Sequence, residues 1–302
     1  MFHTRDHLVF LFVVGCPWSS NTLICALSII ADQRALPPFG ALELQAPFPV
    51  TVRVDPVGQE RIIITAPPEQ ASHIRRIRTF VNGDQLVIVS GYEMQCFEAG
   101  PTHGPVTITV NKASVTSITA SSTGLGSVIC HNQPHPLPDV RIHVTTRHIR
   151  AISIPSYGSV TVEPSSPVST PDLQLSVSGA GSITIPTAFA NGIQVALSGA
   201  GSIRLPAVQA DFVGTSLSGT GRIILAGQTR QLNVDLSGVG QLDAGNLLAG
   251  NGYVSASGIG RAIINALYSL SGSVSGMGSV GYKGHPRVDI SNSGFGRVYQ
   301  IS

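Results

Sequence analysis

The chain has 302 residues and only 11% are charged, yet its apolar class reaches 42%, so it is neither a disordered polar segment nor a charge-dominated surface binder. Formal net charge is +2, and the densest basic run, Arg75-Arg76-Ile77-Arg78, has no second one to reinforce it, which argues against phosphate neutralisation and nucleic-acid binding. Glycine (33) and proline (20) are frequent enough to imply many turns between short apolar strands.

Residues 1–35 read as an export leader. Arg5 and His7 precede the apolar run Leu8 to Val14, and after a polar break a second run covers Leu23 to Ala31. Neither reaches the roughly 18 residues of a membrane-spanning helix. Cleavage is expected between Ala26 and Ala35. Val13-Val14-Gly15-Cys16 also has the look of a lipoprotein cleavage box, although an apolar run after Cys16 does not suit one. Cleavage would leave Cys96 and Cys130, for which a disulfide and a buried thiol both remain open.

Residues 36–170 are expected to hold cap strands and irregular first coils. Val50–Val54 and Arg61–Thr65 have strand composition, Pro67–Ile77 supplies a helical turn or two, and Asn82-Gly83 marks a hairpin. Val106–Val110 begins another strand, and His131–Asp139, with three prolines, is a loop.

Regular coils are expected over 171–302. Ser-Gly-x-Gly begins at Ser178, Ser198, Ser218, Ser237, Ser257, Ser275 and Ser293, at steps of 18 to 20 residues. Tyr157-Gly158 belongs to a degenerate earlier copy, and Thr123-Gly124-Leu125-Gly126 to another. Within each copy apolar residues alternate in one phase: Leu173, Leu175, Val177, Ile183 and Ile185, then Ile193, Val195, Leu197, Ile203 and Leu205. One buried face per strand, repeated without helical crossovers, predicts an all-β, right-handed parallel β-helix-like solenoid with a strand and hairpin cap at its N-terminal end. At about 4.8 Å per coil the seven copies make a rod on the order of 35 Å long.

The glycine pairs are Gly179 and Gly181, Gly199 and Gly201, Gly219 and Gly221, Gly238 and Gly240, Gly258 and Gly260, Gly276 and Gly278, and Gly294 and Gly296. A strand follows each pair, so they are corner devices that need a positive φ or a close backbone approach, not dinucleotide loops. Asn191-Gly192 and Asn251-Gly252 mark other corners, and Pro186 and Pro206 are expected to end strands. The serines form a stacked row, outward or capping corner amides.

No catalytic, cofactor-binding or metal-binding set emerges. His131 and His135 could pair only on a helix, which the neighbouring prolines oppose. Asp172, Asp211, Asp235, Asp243 and Asp289 do not recur in register, so the paired carboxylates of a polysaccharide-cleaving enzyme are not apparent. Two outward rows make a candidate interaction surface. The residue between the glycines grows toward the C-terminus, through Val239, Ile259 and Met277 to Phe295, and Arg222, Arg261 and Arg297 follow the second glycine. The coils end at Ser302 with an edge expected to be open, so the last two coils are expected to contact a partner or another copy.

The recurring LSGAGSI-type coil, together with ALELQAPFPVTVRV, ERIIITAPPEQASHI, TFVNGDQLVIV and PVTITV followed by SITASSTGLGSV, resembles the head GIN domain family of putative auto-transporter adhesins over Phe39 to Ser302. The insert His131–Asp139 departs from that pattern. The resemblance implies an exported bacterial envelope protein of the periplasm, outer envelope or exterior, adhesive and without catalytic residues. Its partner would be a surface glycan or a protein. The alternatives are a scaffold that associates end to end and, further off, a polysaccharide-active enzyme.

Overall fold

A computed structural model describes residues 29–90 and 139–301 in full. Of the remainder it describes only the backbone of the strands Leu8–Phe12, Met94–Ala99, Ile108–Val110 and Ser127–His131. The early copy at Thr123–Gly126 and most of the loop after His131 lie outside the described residues.

The described chain is a parallel β-solenoid closed at one end by antiparallel strands. Its first coil is Ala41–Gln45 and Pro49–Val54. Gln85–Ser90 and Arg141–Thr146 lie parallel along one side of that coil, and Ala151–Ile154 and Tyr157–Val162 lie parallel along the other. Each later coil lies in register on the one before: Tyr157↔Ala180 and Gly158↔Gly181 confirm the degenerate copy, and Leu173↔Ile193↔Val213↔Leu232 continue the inward row.

Two antiparallel additions close the N-terminal end. Arg61–Ala66 pairs with Arg141–Thr146 and with Ile29–Ala35, and Ile77–Asn82 pairs with Gln85–Ser90. A 3-10 turn, Pro68–Gln70, and one helical turn, Ala71–Ile74, join them. The hairpin lies where the composition predicts it, but the register pairs Asn82 with Gln85, so the turn residues are Gly83 and Asp84; Gly83 takes φ +62°. A separate three-stranded antiparallel sheet sets Cys96 directly opposite Cys130. Paired Cα atoms in such a ladder are at a separation a disulfide can span.

One continuous apolar core runs from Phe39 to Val280. In the coils it is built from Ile, Leu, Val and Ala, whereas the fully buried aromatics, Phe39 and Phe48, lie in the first coil region. Alternation puts every second residue into that core, which is why the sequence phase predicts the buried set so closely.

The glycine corners are set by space. None of the fourteen has a positive φ. A Cβ on Gly199 would sit 1.9 Å from the Gly179 carbonyl oxygen, and one on Gly219 would sit 2.1 Å from that of Gly199. Successive corners therefore stack backbone on backbone, and Ala200 N–H and Thr220 N–H donate to the Gly179 and Gly199 carbonyls at 3.1 Å.

One expectation needs correction. Pro206 does not end a strand: Ser202–Leu217 is continuous, and the proline falls where the register slips between Leu205 and Val208, so its missing N–H removes no rung. The strands also run on through Asn191-Gly192 and Asn251-Gly252.

Candidate functional site

The predicted interaction residues come together on one edge of the solenoid. The residues between the glycines stack as an exposed apolar ridge, with Val239 58%, Ile259 55%, Met277 61% and Phe295 92% exposed. Beside it runs the row Arg222↔Gln241↔Arg261↔Ser279↔Arg297, all in parallel register. The Arg222 guanidinium donates to Gln241 Oε1 at 2.6 Å, while no ion pair is formed by Arg261 or Arg297 among the described residues. The corner serines are outward and exposed.

A second surface was not singled out from sequence. Where each coil bends at the Asn191 position, outward residues on either side of the bend face each other across a groove of about 950 Å³. Its floor is small: Thr170, Ala190, Ala210 and Thr229, the last two almost fully buried. The Thr229 hydroxyl donates to the Gln231 carbonyl oxygen at 3.1 Å, which fixes the floor to the bend. One wall carries Phe189, Gln209, Gln228 and Leu248, and the other carries Asn191, Asp211 and Arg230. Phe189, Gln209 and Gln228 are successive rungs of the parallel stack.

The C-terminal end of the groove is made by an irregularity. The coil Arg261–Val274 is shorter than its neighbour, and its pairing slips at two points. At the second slip Leu267 and Tyr268 both face the single residue Gly250 and are thrown outward, 49% and 68% exposed. Bulges re-aim side chains in this way. The only charges lining the groove are Asp211 and Arg230, which neutralise each other at 2.9 Å. The groove was legible in principle: its wall recurs seven or eight residues after each second glycine, at Phe189, Gln209, Gln228, Leu248 and Leu267. What sequence does not give is that the bend there is concave.

Asp172, Asp211, Asp235, Asp243 and Asp289 lie on different rows of the coils. No cluster of three or more His, Cys, Asp or Glu side chains able to hold a metal occurs among the described residues, and no described helix is long and apolar enough to cross a membrane.

Solved structures share this fold. One, of a putative adhesin from Parabacteroides distasonis, has a TM-score of 0.68 at 13% identity and covers 90% of this chain and 97% of its own. Another from the same organism, described as a putative lipid binding protein, has a TM-score of 0.70 at 15% identity over 91% of this chain and 97% of its own. A putative adhesin from Bacteroides fragilis gives 0.56 at 19% identity over 90% and 97%. At these identities the likeness is one of fold. No curated protein gives a significant match. A family model matches residues 38–286, more than four-fifths of the chain, and the chain therefore belongs to the family described as "Putative auto-transporter adhesin, head GIN domain".

Proposed function

We propose that the chain is an exported, non-enzymatic binding module of the cell envelope, an adhesin head whose partner is a surface glycan or a protein. The observation that carries this reading is the register of the outward rows. A solenoid repeats each outward position once per coil, so side chains distant in sequence form one long, rigid contact face. The ridge through Ile259 and Phe295 and the groove beside Phe189 are such faces.

Export bears on the N-terminal boundary. Ile29–Ala35 is a strand of the cap, with Asp32 buried and Arg34 donating to the Ile77 carbonyl oxygen, to Thr79 and to Asp32. Leader cleavage that preserves this strand falls before Ile29, within the upstream part of the interval read from sequence. Intact-mass analysis of the mature protein checks it: a first residue after Ile29 would contradict this placement.

Adhesion is tested with beads coated with the purified chain, applied to immobilised glycans and to immobilised extracellular proteins. Retention on either surface is expected, and its absence from both overturns the reading. Phe295→Asp and Ile259→Asp, which leave the core untouched, separate the ridge from the groove as the contact face.

A further inference from the structure

We infer that the concave groove over the Asn191 bend is a binding site for a linear, uncharged polysaccharide lying along the solenoid axis. The inference deepens the adhesive reading above and rests on it. Four observations carry it.

The first is shape. The lining runs from Ser169 to Tyr268, from the coil of Val168–Val177 to that of Arg261–Val274. Six coils at about 4.8 Å make it ~24 Å long, open along its length. A chain polymer can enter such a trough from the side, whereas a compact small molecule would leave most of it empty.

The second is period. The coil spacing is close to the length of one pyranose unit in an extended chain, so successive sugars meet equivalent positions on successive coils.

The third is chemistry. Gln209, Gln228 and Asn191 project exposed side-chain amides into the groove, and none makes a side-chain hydrogen bond among the described residues. An amide offers both a donor and an acceptor, which suits hydroxyl groups that are themselves both. Phe189 and Tyr268 supply aromatic faces for the C–H faces of sugar rings, 42% and 68% exposed.

The fourth is charge. Asp211 and Arg230 pair with each other, so the trough holds no net field to select a polyanion or polycation. The groove also exposes no strand edge, because the parallel ladder continues beneath it from Ala188 to Ala249. An extended peptide would find no backbone to pair with. An acyl chain would meet amide walls in an open trough, without the enclosure that lipid pockets provide.

The test is calorimetric titration of the whole chain with cellohexaose, mannohexaose and maltohexaose, with hexagalacturonate and phosphatidylcholine vesicles as comparators. At least one neutral hexasaccharide is expected to bind and the two comparators are not. Phe189→Ala and the double variant Gln209→Ala/Gln228→Ala should each weaken binding about tenfold, because each removes a central contact from the trough. Gln174→Ala, on another face, should leave it unchanged. All the substituted side chains are exposed, so the folded state survives, which circular dichroism checks. Binding of vesicles or of hexagalacturonate alone overturns the assignment, as does sugar binding that both groove variants retain. If the coated beads adhere yet no neutral sugar binds, the groove assignment falls and the adhesive reading stands. If neither occurs, both fall.

Discussion

The two ends of this molecule are held together by different physics. The coils from Leu173 onward stack through backbone contact at glycine corners and an aliphatic core, and among their described residues the one ion pair is Asp211–Arg230. The cap and first coils instead use charge: Arg34–Asp32, Arg53–Glu163, Arg147–Glu60 and Arg150–Asp84 all lie there. A repeating strand has its register fixed by its neighbours, so steric fit suffices. Where antiparallel strands close the stack and the chain leaves and rejoins it, no repeat supplies the register, and specific polar pairs take that part. The comparison teaches that the coils tolerate change on their outward rows and almost none at their corners.

The largest expected effect is at a corner. Gly219→Val places a Cβ 2.1 Å from the Gly199 carbonyl oxygen, and neither backbone can yield without separating two coils. A loss of about 3 kcal/mol or more is expected, read as a fall in the denaturant midpoint. Gly83→Ala in the cap hairpin is the informative contrast. Its φ of +62° strains a side chain but nothing lies within 4 Å, so the cost should be about 1 kcal/mol. Equal losses at the two sites would erase the distinction between corners set by space and turns set by conformation.

Next is the cap's buried carboxylate. Glu60 is almost fully buried and Arg147 Nε lies 3.0 Å from its Oε1, close enough for charge attraction although that contact lacks hydrogen-bond geometry; Oε2 accepts from Nε and Nη2 at 3.2 and 3.1 Å. Arg147→Ala strands the charge and should cost about 2 kcal/mol, less than a fully buried pair because Arg147 itself is half exposed. Adding Glu60→Gln should recover much of that loss in a double-mutant cycle. A cycle with no coupling would show that the cap does not depend on this pair.

The fold was legible because an outward or inward assignment repeated once per coil is a strong signal, and the cap strands carried ordinary strand composition. The turn at Gly83-Asp84 was displaced by one residue because Asn82 and Gly83 both suit a turn, and only the pairing of Asn82 with Gln85 decides between them. Pro206 misled because its cost vanishes at a register slip that no local pattern announces. The ridge was visible as the growing residue between the glycines. The groove was not, since concavity comes from how a continuous strand bends at Asn191, and Leu267 and Tyr268 reach it only through a bulge.

Acid sensitivity is the next smaller effect. The hydrogen bond from the Arg150 side chain, aided by its charge, holds the Asp84 carboxyl below its ordinary range. A depressed folded-state value means stability that is fully present above the ordinary aspartate value, about 3.9, and is lost as pH falls through the folded one. The pair is roughly half exposed, so the contribution should be no more than about 0.5 kcal/mol. Asp84→Asn should flatten the loss of thermal stability below about pH 4 by that amount. A larger flattening would mean that the cap leans on this pair more than its exposure allows.

The smallest effect on folding should come from Ile259→Asp on the ridge. At 55% exposure it should shift stability by less than about 0.5 kcal/mol, measured by thermal denaturation. A large loss would make the ridge part of the core's support rather than a face open for contact.

The most direct measurement is two-dimensional amide NMR of the chain titrated with the neutral hexasaccharide that binds best. The side-chain amide signals of Gln209, Gln228 and Asn191 should shift together and saturate at one ligand concentration, while the backbone signals of Val239, Ile259 and Phe295 stay in place. Saturable shifts confined to the ridge, or no shift in the three groove amides, would contradict the account.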